Sequence, residues 1–284
     1  MKRLSFTIVL FLLIGLTYSC DENTTKENDL TELGFHGNIE SIVGTWYKLS
    51  SKFGEEQIGD LEEKGITRFN DDGNVIEECG YDSDGDLKCK TKCTYDGNGS
   101  LLEVCDYDSN GDLYWKDRYT YDGNGSLLEV CDYDSNGDLK WKTKYTYDEK
   151  GNIIEECGYD SNGDLDWKTK YTYDGNGNII EKCGYDSNGD SDWKTKYTYD
   201  GNGNIIEKCR YDSNGDLYWK GRYTYDGNGS LLEVCDYDYN GDLYRKTKYT
   251  CDERGNKIEE KSYEVINDVI EEPQSITKYE ITYR

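Results

Sequence analysis

Proline, histidine and methionine occur once each in the 284 residues, and lysine plus arginine number 33 against 59 aspartates and glutamates. With His36 the only histidine, no Ser-His-Asp or Cys-His set can recur along the chain. With Pro273 the only proline, there are no stiff proline-rich linkers and little to interrupt strands. The net charge of −26 excludes electrostatic binding of nucleic acid or of an anionic membrane surface, because carboxylates outnumber the cations that would meet phosphates. None of the 11 cysteines forms a Cys-x-x-Cys pair, which argues against a thiolate metal site. What the chain has in excess is aromatic side chains, 14% of all residues with 28 tyrosines, too many for a chain that never packs.

The one sustained apolar run, Leu4 to Leu16, follows Lys2 and Arg3 and precedes Thr17-Tyr18-Ser19-Cys20. It is short for a membrane span and has the form of a secretory signal. A small residue before a cysteine resembles a bacterial lipoprotein signal, so Cys20 is the expected lipidated residue and 1–19 the expected signal peptide. The acidic Asp21-Glu22 that follows resembles the surface-export signal of Bacteroidota lipoproteins, which implies a lipid-anchored protein of the outer membrane, at the cell surface. Residues 20–36 read as a flexible tether.

A 26-residue repeat governs the rest. The unit Tyr171 to Lys196 recurs in near copies from Cys93, Tyr119, Tyr145, Tyr197 and Tyr223, and more loosely from Thr67 and Tyr249. Each unit holds two turns of one form, Tyr173-Asp174-Gly175-Asn176-Gly177-Asn178 and Tyr185-Asp186-Ser187-Asn188-Gly189-Asp190. Aspartate opens a turn by bonding its own backbone, and glycine three residues on takes the left-handed conformation of a bulged hairpin loop. The intervening segments have strand length, so the array is an all-β antiparallel meander of tandem hairpins. A lone unit buries too little to fold. Stacked units share ladders, and strand twist rolls so long a sheet into a twisted single layer, a spiral or an open tube. Residues 37–66 and 257–284 read as capping strands around the repeats at 67–256, with a polar loop before Gly65 and Pro273 in the loop of the last hairpin.

Strict alternation outward from the turns sets Cys183 opposite Trp193, Glu156 opposite Lys168 and Glu78 opposite Lys90. It gathers Ile179, Glu181, Cys183, Tyr185, Trp193, Thr195, Tyr197 and Tyr199 on one aromatic face. Lys182, Lys194, Lys196 and Thr198 fall on an ionic face, which is expected to vary most between copies.

The motif Tyr171-Thr172-Tyr173-Asp174 with Gly177, repeated from Tyr119, Tyr145, Tyr197 and Tyr223, resembles the Rhs-type YD-repeat proteins. With the segment Gly37 to Tyr47 the chain resembles small Bacteroidota repeat lipoproteins more closely still. The resemblance implies β-architecture and almost no activity. The residue after the turn glycine is Asn, Ser or Asp here, where Rhs proteins usually carry Arg, and the residues that follow the repeats, 257–284, read as a capping hairpin rather than as a toxin.

Four constellations carry chemistry. The Asp-rich turns are first turn formers; Asp82 to Asp86 lacks the EF-hand spacing, which leaves weak calcium binding between neighbouring turns as the secondary reading. The glutamate column, with Glu129, Glu155, Glu181 and Glu207, lies beside Trp115, Trp141, Trp167, Trp193 and Trp219, a composition that suits a saccharide groove; the simpler expectation is that each Glu accepts bonds from Thr or Tyr hydroxyls, such as Thr195 and Tyr171 for Glu181. The cysteine column is too widely spaced for disulfides, except that Cys79 opposite Cys89 is placed to form one. No single unit is chemically distinct, so the chain is expected to be non-enzymatic, without cofactor or metal. It reads as a structural, adhesive or protein-interaction module, or alternatively as a glycan-binding one.

Overall fold

The computed structural model describes residues 28–52, 55–266 and 269–284. A one-turn helix, α1 (Asp29–Glu32), precedes eighteen strands. The first eight are β1 (Ile39–Lys52), β2 (Glu55–Phe69), β3 (Val75–Asp82), β4 (Leu87–Tyr95), β5 (Leu101–Asp108), β6 (Leu113–Tyr121), β7 (Leu127–Asp134) and β8 (Leu139–Tyr147). Then come β9 (Ile153–Asp160), β10 (Leu165–Tyr173), β11 (Ile179–Asp186), β12 (Ser191–Tyr199) and β13 (Ile205–Tyr211). The last are β14 (Leu217–Tyr225), β15 (Leu231–Tyr237), β16 (Leu243–Cys251), β17 (Lys257–Ile266) and β18 (Val269–Tyr283). Each strand pairs antiparallel with the next, and β1 pairs with both β2 and β18, Val43 lying opposite Ile66 on one side and Glu280 on the other. The meander is thus a closed barrel, where the sequence led to an open tube or spiral. Closure satisfies the edge groups that an open sheet would expose, and the long first and last strands supply it. Residues expected to form a polar loop before Gly65 belong to β2, and Pro273 lies within β18 at a register irregularity opposite Tyr263.

The turns are built as their residues dictate. Asp174 N–H donates to the Asn178 carbonyl at 2.9 Å, Gly177 N–H donates to Asp174 O, and the Asp174 carboxylate accepts the Asn176 and Asn178 N–H groups at 2.8 and 2.9 Å. Gly177 sits at φ 90°, a conformation costly for any residue with a Cβ.

Next to each turn the ladder carries one extra residue. Tyr173 faces Ile179 but Thr172 faces Glu181, and Tyr185 faces Ser191 but Gly184 faces Trp193. Such bulges reset the inside-outside alternation, so strict counting misassigns half of every unit. The first bulge also frees a carbonyl, and a tyrosine of the next unit meets it: Tyr173, Tyr199 and Tyr225 hydroxyls donate to the Ile153, Ile179 and Ile205 carbonyls at 2.7, 2.7 and 2.9 Å. This bond explains the second tyrosine of the Tyr-x-Tyr-Asp motif and ties each hairpin to its predecessor.

The register sorts residues into two sets. One contains Ile179, Lys182, Gly184, Trp193, Thr195, Tyr197 and Tyr199; the other contains Glu181, Cys183, Tyr185, Lys194, Lys196 and Thr198. The first faces the lumen. Its members Thr169, Thr195, Leu127, Ile153 and Asp236 are buried, and the chain preceding β1 packs against it. There Leu30 and Phe35 join Ile39, Ile42, Phe69, Val75, Cys93 and Val104 in one apolar cluster that fills the barrel near the β1 seam. Asn28, within the stretch expected to be tether, caps α1, and Asp29 accepts the Val75 N–H and the Tyr95 hydroxyl.

Candidate functional site

The outer face is nearly invariant along the array. Glu103, Glu129, Glu155, Glu181 and Glu233 pair with Lys116, Lys142, Lys168, Lys194 and Lys246 at 2.8–3.3 Å. Each of these glutamates also accepts the thiol of the cysteine two residues on, as Cys183 to Glu181 at 3.3 Å. Lysines of the preceding strand lie over the tyrosine rings, Lys170 over Tyr185 and Lys196 over Tyr211 at 5.7 and 5.8 Å. A hydrogen bond from Lys90 and nearby cations hold the Glu77 carboxyl below its ordinary range, against modest burial. Charge at this density on the outward positions does not suit a hydrocarbon environment.

This placement corrects the sequence reading. Glu129, Glu155, Glu181 and Glu207 are on the opposite face from Trp115, Trp141, Trp167, Trp193 and Trp219, so the structure does not bring them into one groove, and their partners are lysine or arginine and thiols rather than hydroxyls. Glu155 and Glu77, not Glu156 and Glu78, meet Lys168 and Lys90. Cys89 lies opposite Gly80 on the lumen side, while Cys79 belongs to the outer set; both thiols are free, and the bulge between them is the reason. The turn aspartates use their carboxylates on their own loops, and among the described residues no group of three metal-ligating side chains gathers. Cys20 lies outside the described residues.

The lumen is where the copies differ. Aligned with Lys182 stand Glu78, Val104, Val130, Glu156, Lys208, Val234 and Glu260; aligned with Gly184 stand Gly80, Asp106, Asp132, Gly158, Arg210, Asp236 and Ser262. These positions meet the tryptophan column. Opposite glycine, the indole lies down on the backbone: a Cβ at Gly158 or Gly184 would come within 2.2 Å of the Trp167 or Trp193 ring nitrogen. Opposite aspartate it cannot. Trp115 instead donates its N–H to Asp117 at 2.7 Å, and Trp141, opposite Asp132, is 40% exposed. Where the first unit replaces the indole with Cys89, a hollow of about 140 Å³ opens, lined by Glu63, Glu78, Gly80 and Thr91 among others.

The strands β3 to β9 give the lumen an acidic arc. Burial raises the Glu78 carboxyl to about 7, although Thr67 donates to it at 3.1 Å. Asp117 sits opposite Asp132, and burial followed by that neighbour's charge pushes its carboxyl up. Burial likewise raises Glu156, which accepts from the Tyr171 hydroxyl. The strands β11 to β13 give a basic arc with Lys182, Lys208 and Arg210, and beyond it Asp236, 1% exposed, is closed off by Arg245 at 2.7 Å. Sequence reasoning missed these groups because they hide behind the bulges. The signal that finds them is the contrast between constant and variable columns, read once the alternation is reset at each turn.

No family model matches the chain, and no curated protein matches it. Solved structures do, at low similarity. A porin-like protein from Bacteroides uniformis aligns with a TM-score of 0.46 at 10% identity, over 86% of this chain and 98% of that one. A Photorhabdus luminescens Tc holotoxin pore aligns at 0.30 and 13% identity over 82% of this chain, and TcdB2-TccC3 without its hypervariable C-terminal region at 0.32 and 13% over 86%. The chain spans about a sixth of those toxin chains, 17% and 16%.

Proposed function

We propose that this protein is a non-enzymatic binding module, anchored by lipid at Cys20 on the surface of a bacterial outer membrane, whose barrel lumen receives a saccharide-class ligand on its indole and phenol rings. The observation that carries the reading is the distribution of variation: the outer Glu, Cys, Tyr, Lys and Thr columns repeat almost unchanged, while the lumen positions aligned with Lys182 and Gly184 differ from unit to unit. Selection for shape alone has no reason to diversify one face of a repeat and hold the other. Half-buried Trp115, Trp167, Trp193 and Trp219 line the interior with indoles, the ring type on which sugars stack, and Trp141 is the more exposed of the column. The likeness of the Tyr-x-Tyr-Asp units to Rhs-type repeats fits a scaffold role and supplies no activity.

A second reading, a structural or adhesive role for the exterior, is favoured by the regular Glu-Lys-Tyr ladder, which offers a repeated partner a repeated surface. Intrinsic tryptophan fluorescence of the protein from Cys20 onward, titrated with a panel of oligosaccharides, separates the two. A saturable change that Trp193→Ala abolishes supports the lumen, and a panel with no response removes it. For the anchor, fatty-acid labelling that disappears in Cys20→Ser is the expected result, and unlabelled wild-type protein would refute it.

A further inference from the structure

We propose that the β11–β13 arc of the lumen is an anion subsite, which takes a carboxylate or sulfate carried by the saccharide; this rests on the lumen reading above and names the ligand's charge. The register sets Tyr171, Lys182, Thr195, Arg210 and Trp219 side by side across five neighbouring strands, with Lys208 one row along, between Tyr197 and Gly221. The three cations rest on ring faces. Lys182 is 4.9 Å from the centroid of Tyr171, Arg210 is 5.0 Å from that of Trp193, and Lys208 is 5.6 and 5.9 Å from those of Tyr197 and Trp219.

Among the described residues, no carboxylate comes within ion-pair distance of any of the three. On the outer face of the same units Lys168 and Lys194 each hold a glutamate at 3.2 and 3.3 Å, while Lys170 and Lys196 rest on tyrosine rings; what sets the lumen patch apart is that its three cations gather on neighbouring strands of the interior. In a chain with 26 more acids than bases, two half-buried lysines beside an exposed guanidinium, gathered in one patch without a counter-ion, are an unbalanced arrangement. Burial lowers both lysine ammonium groups from their ordinary range; Glu156 offsets this for Lys182, and Arg210 adds to it for Lys208. Aromatic faces stabilise a cation only partly. A ligand anion would complete the charge balance, and charge-assisted bonds from two ammonium groups and a guanidinium suit a carboxylate or sulfate. The patch is also rich in aromatic rings, which hold the three cations in place. Gly184 lets the Trp193 indole lie flat, and a Cβ at Gly221 would meet the Trp219 ring at 2.8 Å. The other lumen arc, with Glu78, Asp106, Asp132 and Glu156, would repel the same group, so the ligand is oriented as well as held.

The test compares trigalacturonate, a sulfated disaccharide and neutral maltotriose at constant ionic strength, by calorimetry on the protein from Cys20 onward. At least one anionic sugar should bind tenfold or more tighter than the neutral one, and which of the two does so separates carboxylate from sulfate. The double variant Lys208→Gln/Arg210→Gln should lose that preference while the outer control Lys168→Gln keeps it. Should the double variant fail to fold, the wild-type protein still decides the matter: bound anionic sugar should protect Lys182 and Lys208, but not Lys168, from amine acetylation read by mass spectrometry. Equal affinity for neutral and anionic sugars, or no protection, overturns the anion subsite and leaves the lumen reading standing. Binding of none of the three overturns both.

Discussion

Replacing Glu78 by glutamine should make the barrel more stable in mild alkali. Glu78 stands opposite Thr67 and Thr91 in the lumen, accepts the hydroxyl of Thr67 (itself 2% exposed), and has its carboxyl raised by burial to about 7 from an ordinary 4.5. A carboxyl whose folded value is raised favours folding in its protonated form. Its contribution is therefore complete below about 4.5, is lost progressively as pH rises through 7, and is constant above that. The difference of about 2.5 units corresponds to roughly 3 kcal/mol, and in a chain of this size to about 6 °C in Tm. Glutamine keeps the acceptor for Thr67 and never ionises. Thermal unfolding from pH 4.5 to 9 should give coincident Tm values for the two proteins at the acid end and a gap of that order at the alkaline end, with the variant higher. Outer carboxylates such as Glu77, held down chiefly by Lys90, titrate alike in both proteins and cancel. Profiles that stay parallel across the range would refute the burial of an ionisable Glu78, and with it the assignment of this column to the interior.

Gly158→Ala should cost about 1–3 kcal/mol, the usual range for overpacking, because the new methyl meets the Trp167 indole, whereas Gly175→Ala, with nothing within 4 Å, should be near neutral in the same chemical denaturation series. Gly177→Ala places a Cβ at φ 90° and should lose about 1–2 kcal/mol; an unchanged midpoint would contradict the turn. Under denaturing, non-reducing conditions, thiol titration followed by mass spectrometry should find Cys79 and Cys89 free, and a peptide bridging them would overturn the register between β3 and β4.

The strands and turns were legible because their signals are local. An aspartate that bonds its own loop and a glycine at positive φ need no distant partner, so Tyr173 to Asn178 announces its hairpin in any context. The 26-residue period then dictates a meander, and the aromatic column Trp193, Thr195, Tyr197, Tyr199 could be grouped correctly because it lies within one strand. Carrying that grouping into β11 failed, since Ile180 and Asp192 are extra residues that no local rule reveals. One insertion moved Glu181, Cys183 and Tyr185 to the exterior and Lys182 and Gly184 to the interior.

Ring closure was beyond local reach for a different reason. It depends on β1 and β18 meeting after more than two hundred intervening residues, and their side chains read as ordinary edge strands until the accumulated twist of the repeats brings them together. Short-range hydrogen bonding was thus written in the order of residues. Which side of the sheet is inside, and which charges share that interior, was settled only when eighteen strands joined end to end, because facing is a property of the whole ring and each bulge changes it for everything beyond.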